Sequence, residues 1–201
     1  MNKRAPIGIF DSGVGGTSIW KEIHELLPME HTLYLADSKN APYGYKPKEE
    51  ILALSIKNTE HLLERGAKII VIACNTATTN AISELRTRFS IPFVGIEPAI
   101  KPAALKSKSG NIGILATKGT LSSELFHQAS QKLTSNTTIT EVVGEGLVPL
   151  IEAGHLDSPE MIQLLKKYAE PMTQAKVDYL VLGCSHYPYI IPQLKKILPK
   201  H

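Results

Sequence analysis

Seven short apolar runs, at 7–10, 32–36, 69–73, 93–96, 112–116, 138–143 and 179–183, punctuate this chain at intervals filled by amphipathic stretches. Most are unbroken Ile, Val and Leu without polar alternation, the pattern of strands covered on both faces in a parallel sheet. Helical periodicity occupies 17–27, 48–65, 77–89, 122–133, 159–174 and 192–198. Strand–helix alternation of this kind builds an α/β protein whose ligands gather where strands end and helices begin. At 201 residues the chain suits one large domain or two small ones. Pro98, Pro102 and the Ser/Lys/Gly stretch at 106–110 mark a seam, giving units 1–97 and 98–201.

The two units repeat each other. Ile7-Gly8-Ile9-Phe10 before a glycine-containing turn is echoed by Ile112-Gly113-Ile114-Leu115, an offset of 105 residues. Ile69 to Thr76, ending Ala73-Cys74-Asn75-Thr76, is echoed by Tyr179 to His186, ending Gly183-Cys184-Ser185-His186, an offset of 110. Two nearly equal offsets in the same chain order predict two similar parallel-sheet α/β domains, related by pseudo-twofold symmetry, with an interdomain cleft. One cysteine then ends the equivalent strand of each.

Both cysteines precede helix signals. Asn75 or Thr76 can cap a helix from Ala77, and Ser185 a turn with Pro188 near its first position. The positive end of a helix favours a thiolate, so both thiols can serve as bases. Opposed acid–base groups of one kind suit a reaction that removes a proton from one face of a tetrahedral carbon and returns one to the other, that is, racemisation or epimerisation. Each thiol needs a polar assistant: Asp11 for Cys74, and His186 or Glu152 for Cys184.

Other readings compete. Buried cysteines are often plain small hydrophobes. Cys74, Cys184 and His186 fall short of a four-ligand zinc set. Gly13-Val14-Gly15-Gly16 with Asp37 mimics a dinucleotide fingerprint, but its third glycine is misplaced. No lysine sits in a context for pyridoxal phosphate. Asp11 and Ser12 can be turn formers, Tyr43 part of a plain turn, and Glu152 a surface carboxylate. Lys and Arg outnumber Asp and Glu by 22 to 19 without a basic run, so neither nucleic acid nor an anionic membrane is the expected partner. No signal peptide or membrane span can be drawn, and the two cysteines read as reduced thiols in a cytoplasmic protein.

Phe10-Asp11-Ser12-Gly13-Val14-Gly15-Gly16, Ala41-Pro42-Tyr43-Gly44, Cys74-Asn75-Thr76-Ala77 and Gly183-Cys184-Ser185-His186-Tyr187-Pro188 together resemble the four signature motifs of the glutamate racemases, in the aspartate/glutamate racemase family. The resemblance implies cofactor-independent interconversion of L- and D-glutamate for peptidoglycan, with no metal and with glutamate as small-molecule partner. It implies Cys74 and Cys184 as catalytic acid–bases and Asp11, Glu152 and His186 as the groups tuning them. Substrate contacts are implied at Asp11, Ser12, Tyr43, Gly44, Asn75, Thr76, Ser185 and His186, with Thr117 and Thr120 as weaker candidates. Association as a homodimer is implied as well.

Three departures stand out. Ser185 replaces the usual threonine, keeping the hydroxyl. Gly144-Glu145-Gly146 replaces a more apolar stretch ahead of Leu147. Family members continue for several tens of residues past a segment like 192–198 and return to the first domain, so this chain reads as lacking that return, with an exposed sheet edge or apolar face expected. Alternatives are a catalytically impaired glutamate-binding protein and an aspartate racemase.

Overall fold

A computed structural model describes residues 4–133 and 137–198. The first sheet holds β1 (Ile7–Asp11), β2 (Thr32–Ala36), β3 (Ile69–Ile72) and β4 (Phe93–Gly95), all parallel, in the order β2-β1-β3-β4. Helices α1 (Thr17–Leu26), α2 (Lys48–Glu64) and α3 (Asn75–Arg88) connect them. After α4 (Ile100–Lys106), the second sheet holds β5 (Asn111–Ala116), β6 (Thr138–Val143) and β7 (Tyr179–Gly183), parallel in the order β6-β5-β7. Its helices are α5 (Lys118–Leu121), α6 (Glu124–Gln131), α7 (Leu147–Glu152), α8 (Pro159–Gln174) and α9 (Ile191–Ile197).

The repeat read from the sequence is a repeat of topology. In each unit the first strand is central, flanked by the second on one side and the cysteine-bearing strand on the other. Ile7 pairs with Ile69, and their counterparts Ile112 and Tyr179 pair in the same way. The alternation of side chains across a strand explains why unbroken apolar runs were needed. In the first sheet Phe10, Ile70 and Ile72 pack under α2 and α3, while Ile7, Ile9 and Val71 face the Ile19, Trp20 and Ile23 stripe of α1. In the second, Ile112, Ile114 and Val181 meet α4 and α6, and Leu115 meets α7, α8 and α9. Each such side chain contributes about 1.5–3 kcal/mol when buried.

The seam at 98–110 is more ordered than its prolines suggest. It contains α4, with Pro102 in the first turn, where a missing N–H and a fixed φ are tolerated, and α4 packs on the second sheet. The helix read at 122–133 is the shorter α6, whose N-cap Ser123 accepts from the Phe126 amide, and the separate α5 precedes it. On the first unit, Leu26, Leu27, Met29 and Val94 are exposed apolar side chains, and no residue of α1 is fully buried. Among the described residues no helix is long and apolar enough to cross a membrane.

Candidate active site

The two thiols arrive by the same route and land on different ends. Cys74 follows β3 and is itself the N-cap of α3, its Sγ accepting the Ala77 N–H at 3.4 Å. The helix therefore starts at Asn75, two residues earlier than the pattern predicted, and neither Asn75 nor Thr76 is the cap; a sulfur in cap position leaves little trace in a sequence. Cys184 follows β7 and leads into a single turn of 3-10 helix, Tyr187–Ile190. Ser185 does not cap that turn. Its hydroxyl instead reaches across to the other unit and donates to Asp11 Oδ1 at 3.0 Å.

Asp11 ends β1 with its side chain fully enclosed, Oδ2 accepting the Gly13 N–H at 3.0 Å. Burial raises its pKa against the opposing pull of the facing His186, the Gly13 amide and the Ser185 hydroxyl. Its influence on Cys74 is through space: the Cys74 thiol donates to Ser12 Oγ over 3.7 Å, and the nearby carboxylate disfavours its ionisation. On the opposite side Cys184 Sγ lies 3.7 Å from His186 Nδ1, and His186 Nε2 meets Glu152 Oε1 at 2.5 Å. The same Glu152 oxygen accepts the Val14 N–H at 2.8 Å. Glu152, which resembles a surface carboxylate in sequence, thus joins a relay that begins at a buried thiol and ends on the other unit.

Two glycines of the run at 13–16 are explained by this contact. A Cβ on Gly13 would stand 1.8 Å from Glu152 Oε1, and one on Gly15 2.4 Å from His186 Nδ1. Gly13 and Gly15 are glycine because the second unit presses against them, and Gly16 because Asp11, Tyr34 and Ala73 of its own unit do, which in the shut state leaves no room there for a pyrophosphate. Asp37, the acid of the dinucleotide pattern, accepts a 2.6 Å hydrogen bond from the Tyr43 hydroxyl and another from Asn40. Tyr43 is consequently more than a turn former: it is buried, also accepts from Asn58, and anchors the loop that carries Gly44. Gly44 packs on Thr117, whose hydroxyl closes a triangle with those of Thr76 (2.8 Å) and Thr120 (3.1 Å).

These residues surround one small cavity. Its walls are Ser12, Pro42, Tyr43, Gly44, Cys74, Asn75, Thr76, Thr117, Val148, Cys184, Ser185 and His186. Asp11 and Glu152 stand one layer behind. The cavity measures about 10 Å³, room for about one water molecule. Anything the size of an amino acid requires the units to part. Two outer grooves of about 810 and 800 Å³ are far larger but contain none of these groups, so chemistry and not size marks the site. Among the described residues no cluster of three or more His, Cys, Asp or Glu is arranged to hold a metal ion.

Enclosure overturns the expectation that helix ends favour thiolates here. Burial and the Asp11 charge push Cys74 up to about 12, outweighing the Ala77 and Ser12 hydrogen bonds. Burial likewise drives Cys184 well above the ordinary thiol range, despite the His186 and Tyr187 amides. In the shut state, desolvation is the larger effect. Val148 was not singled out by the sequence reading, because its place one helical turn before Glu152 shows only once α7 is seen to be a helix.

Two parallel-sheet α/β units that bring a buried thiol each to one cavity define an isomerase class, the amino-acid racemases. Residues 7–200 match the Asp/Glu/Hydantoin racemase family, and the chain belongs to it. A glutamate racemase of Ectopseudomonas mendocina is 48% identical over 99% of this chain and 76% of its own length. A solved glutamate racemase isoform from Bacillus anthracis superposes with a TM-score of 0.89 at 33% identity, covering 99% of this chain and 75% of that one. The Escherichia coli glutamate racemase, solved with L-glutamate and the activator UDP-MurNAc-ala, gives 0.88 at 36%, over 98% and 75%.

Proposed function

We propose that this chain interconverts L- and D-glutamate by a two-thiol proton transfer at Cα. The observation that carries the reading is that Cys74 and Cys184, from equivalent strands of the two units, line the same cavity. With glutamate between them, one cysteine as thiolate takes the Cα proton while the other, as thiol, delivers its proton to the opposite face. The pair ends with its protonation states exchanged and is ready for the reverse reaction. Asp11 governs the charge near Cys74. The His186–Glu152 pair holds and moves the proton of Cys184. The carboxylates of the substrate suit the start of α3 at Asn75 and Thr76, and the amides near Ser12 and Ser185, since helix N-termini favour anions. Tyr43, Gly44 and Thr117 form the facing wall, with Thr120 behind it.

Support for glutamate in particular comes from the names of the relatives and from the L-glutamate bound by the E. coli enzyme. On this reading units 1–97 and 98–201 are the two domains, and the D-glutamate serves peptidoglycan in the cytoplasm, with a homodimer as the working form. The test is turnover in heavy water: each glutamate enantiomer should acquire solvent deuterium at Cα while converting to the other. Folded protein that exchanges neither enantiomer overturns the proposal.

A further inference from the structure

Three consecutive residues ahead of α7 are each gripped by a tyrosine hydroxyl. Tyr187 donates to the Gly144 carbonyl at 3.2 Å, Tyr168 donates to the Glu145 carbonyl at 2.7 Å, and the Gly146 N–H donates to the Tyr45 hydroxyl at 3.2 Å. The first two tyrosines belong to the same unit as the segment they hold. Tyr45 belongs to the other, 101 residues away. This is the stretch whose glycines depart from the family pattern, and both are required. A Cβ on Gly144 would sit 2.3 Å from the Tyr187 oxygen, and Gly146 turns into α7 with a φ of +80°, a conformation L side chains rarely adopt.

What the segment holds matters more than how it is held. α7 begins at once after Gly146 and carries both Val148, in the cavity wall, and Glu152, bonded to His186. At the other end of the bond, Tyr45 follows Gly44, which lines the same cavity. Gly44 is buried and Tyr45 is half exposed, so the bond ties together the segments that carry the two walls on their solvent side. Other bonds between the units near the thiols include Ser185 to Asp11, which is buried, and Val14 to Glu152, which is exposed.

We propose that Tyr45 is a positioning residue: its hydroxyl latches the first unit to the segment that sets α7, so that shutting the cavity and placing Val148 and Glu152 occur in one motion. Since an amino acid cannot enter a space of about one water, the latch opens and closes in every turnover. The kinetic part of this inference rests on the racemase reading; the structural part does not.

Tyr45→Phe tests it, because it removes the acceptor and keeps the half-exposed ring. Cys74 and Cys184 are the chain's two cysteines, so labelling by iodoacetamide without substrate reports directly on opening. Labelling should accelerate by roughly three- to tenfold, the yield of one net hydrogen bond. Because the bond is made in the empty and the filled shut states alike, KM for glutamate should stay within about twofold while kcat falls by a factor of similar order through the loosened Glu152, and the melting temperature should fall by no more than the few degrees that one net hydrogen bond supplies. Labelling at the wild-type rate overturns the latch, as does faster labelling accompanied by a fall in melting temperature larger than that. Faster labelling with no larger loss of stability than that, in a chain that racemises nothing, supports the latch and overturns the functional reading instead.

Discussion

Cys74 and Cys184 occupy equivalent positions in a duplicated fold, yet their surroundings have diverged. Cys74 heads a 14-residue helix, accepts a backbone amide, and has a carboxylate nearby through space. Cys184 precedes one turn of 3-10 helix and has an imidazole at 3.7 Å backed by a carboxylate at 2.5 Å. Duplication supplies the symmetry that inversion of a carbon requires. Proton management is then solved separately on each side, because the groups beside each thiol come from its own unit at positions the repeat does not match, Asp11 and Ser12 for Cys74 and His186 and Glu152 for Cys184.

That contrast can be attacked in order of expected effect. Cys74→Ala and Cys184→Ala should each abolish racemisation, by at least about a thousandfold, because loss of either acid–base stops inversion from both directions. Near-normal turnover in one variant, followed by circular dichroism of the glutamate pool, would remove that thiol from the scheme. Asp11→Asn and His186→Asn should each cost about a hundredfold. If the assistants are side-specific, the two variants skew kcat for L- and D-glutamate in opposite senses. A skew in the same sense would mean that the groups act as one network.

Ser185 bridges the two sides through its bond to Asp11. Ser185→Ala should lower turnover by about tenfold, the share of a hydrogen bond to a charged group, whereas Ser185→Thr keeps the hydroxyl and should stay within about twofold in the same assay. The smallest effect concerns stability. Both thiols have folded pKa values raised by burial, Cys74 to about 12. The folded state therefore holds protons that the unfolded state releases. The stability each thiol contributes is complete below the ordinary thiol pKa of about 8.5 and is lost as pH rises toward the folded value, by at most about 1.4 kcal/mol per unit for each thiol. Denaturation midpoints between pH 8 and 11 should fall less steeply in Cys74→Ala than in the wild type; an equal slope would mean that Cys74 is less enclosed than its surroundings indicate.

Much of this architecture was legible before any coordinates. Long periodic elements such as α2, α3 and α8, and all seven strands, follow from runs whose side-chain period matches their geometry. The short helices α4, α5 and α7 were not legible, since four to seven residues contain too few turns to show a period and two of them carry an internal proline. Likewise Asp37 suggested a nucleotide site, whereas in the fold it holds the Tyr43 hydroxyl.

By itself the amino-acid order determined two α/β units, a cysteine at the same strand end of each, and the residue types able to move protons. Tertiary structure alone decided that Glu152 backs His186, that Ser185 holds Asp11 and not a helix end, and that desolvation outweighs the helix termini at both thiols. The reason is range. Periodicity and capping act between near neighbours in the chain, whereas the bonds that assemble this site join residues 138 and 174 positions apart, and a thiol's ionisation depends on everything that excludes water from it.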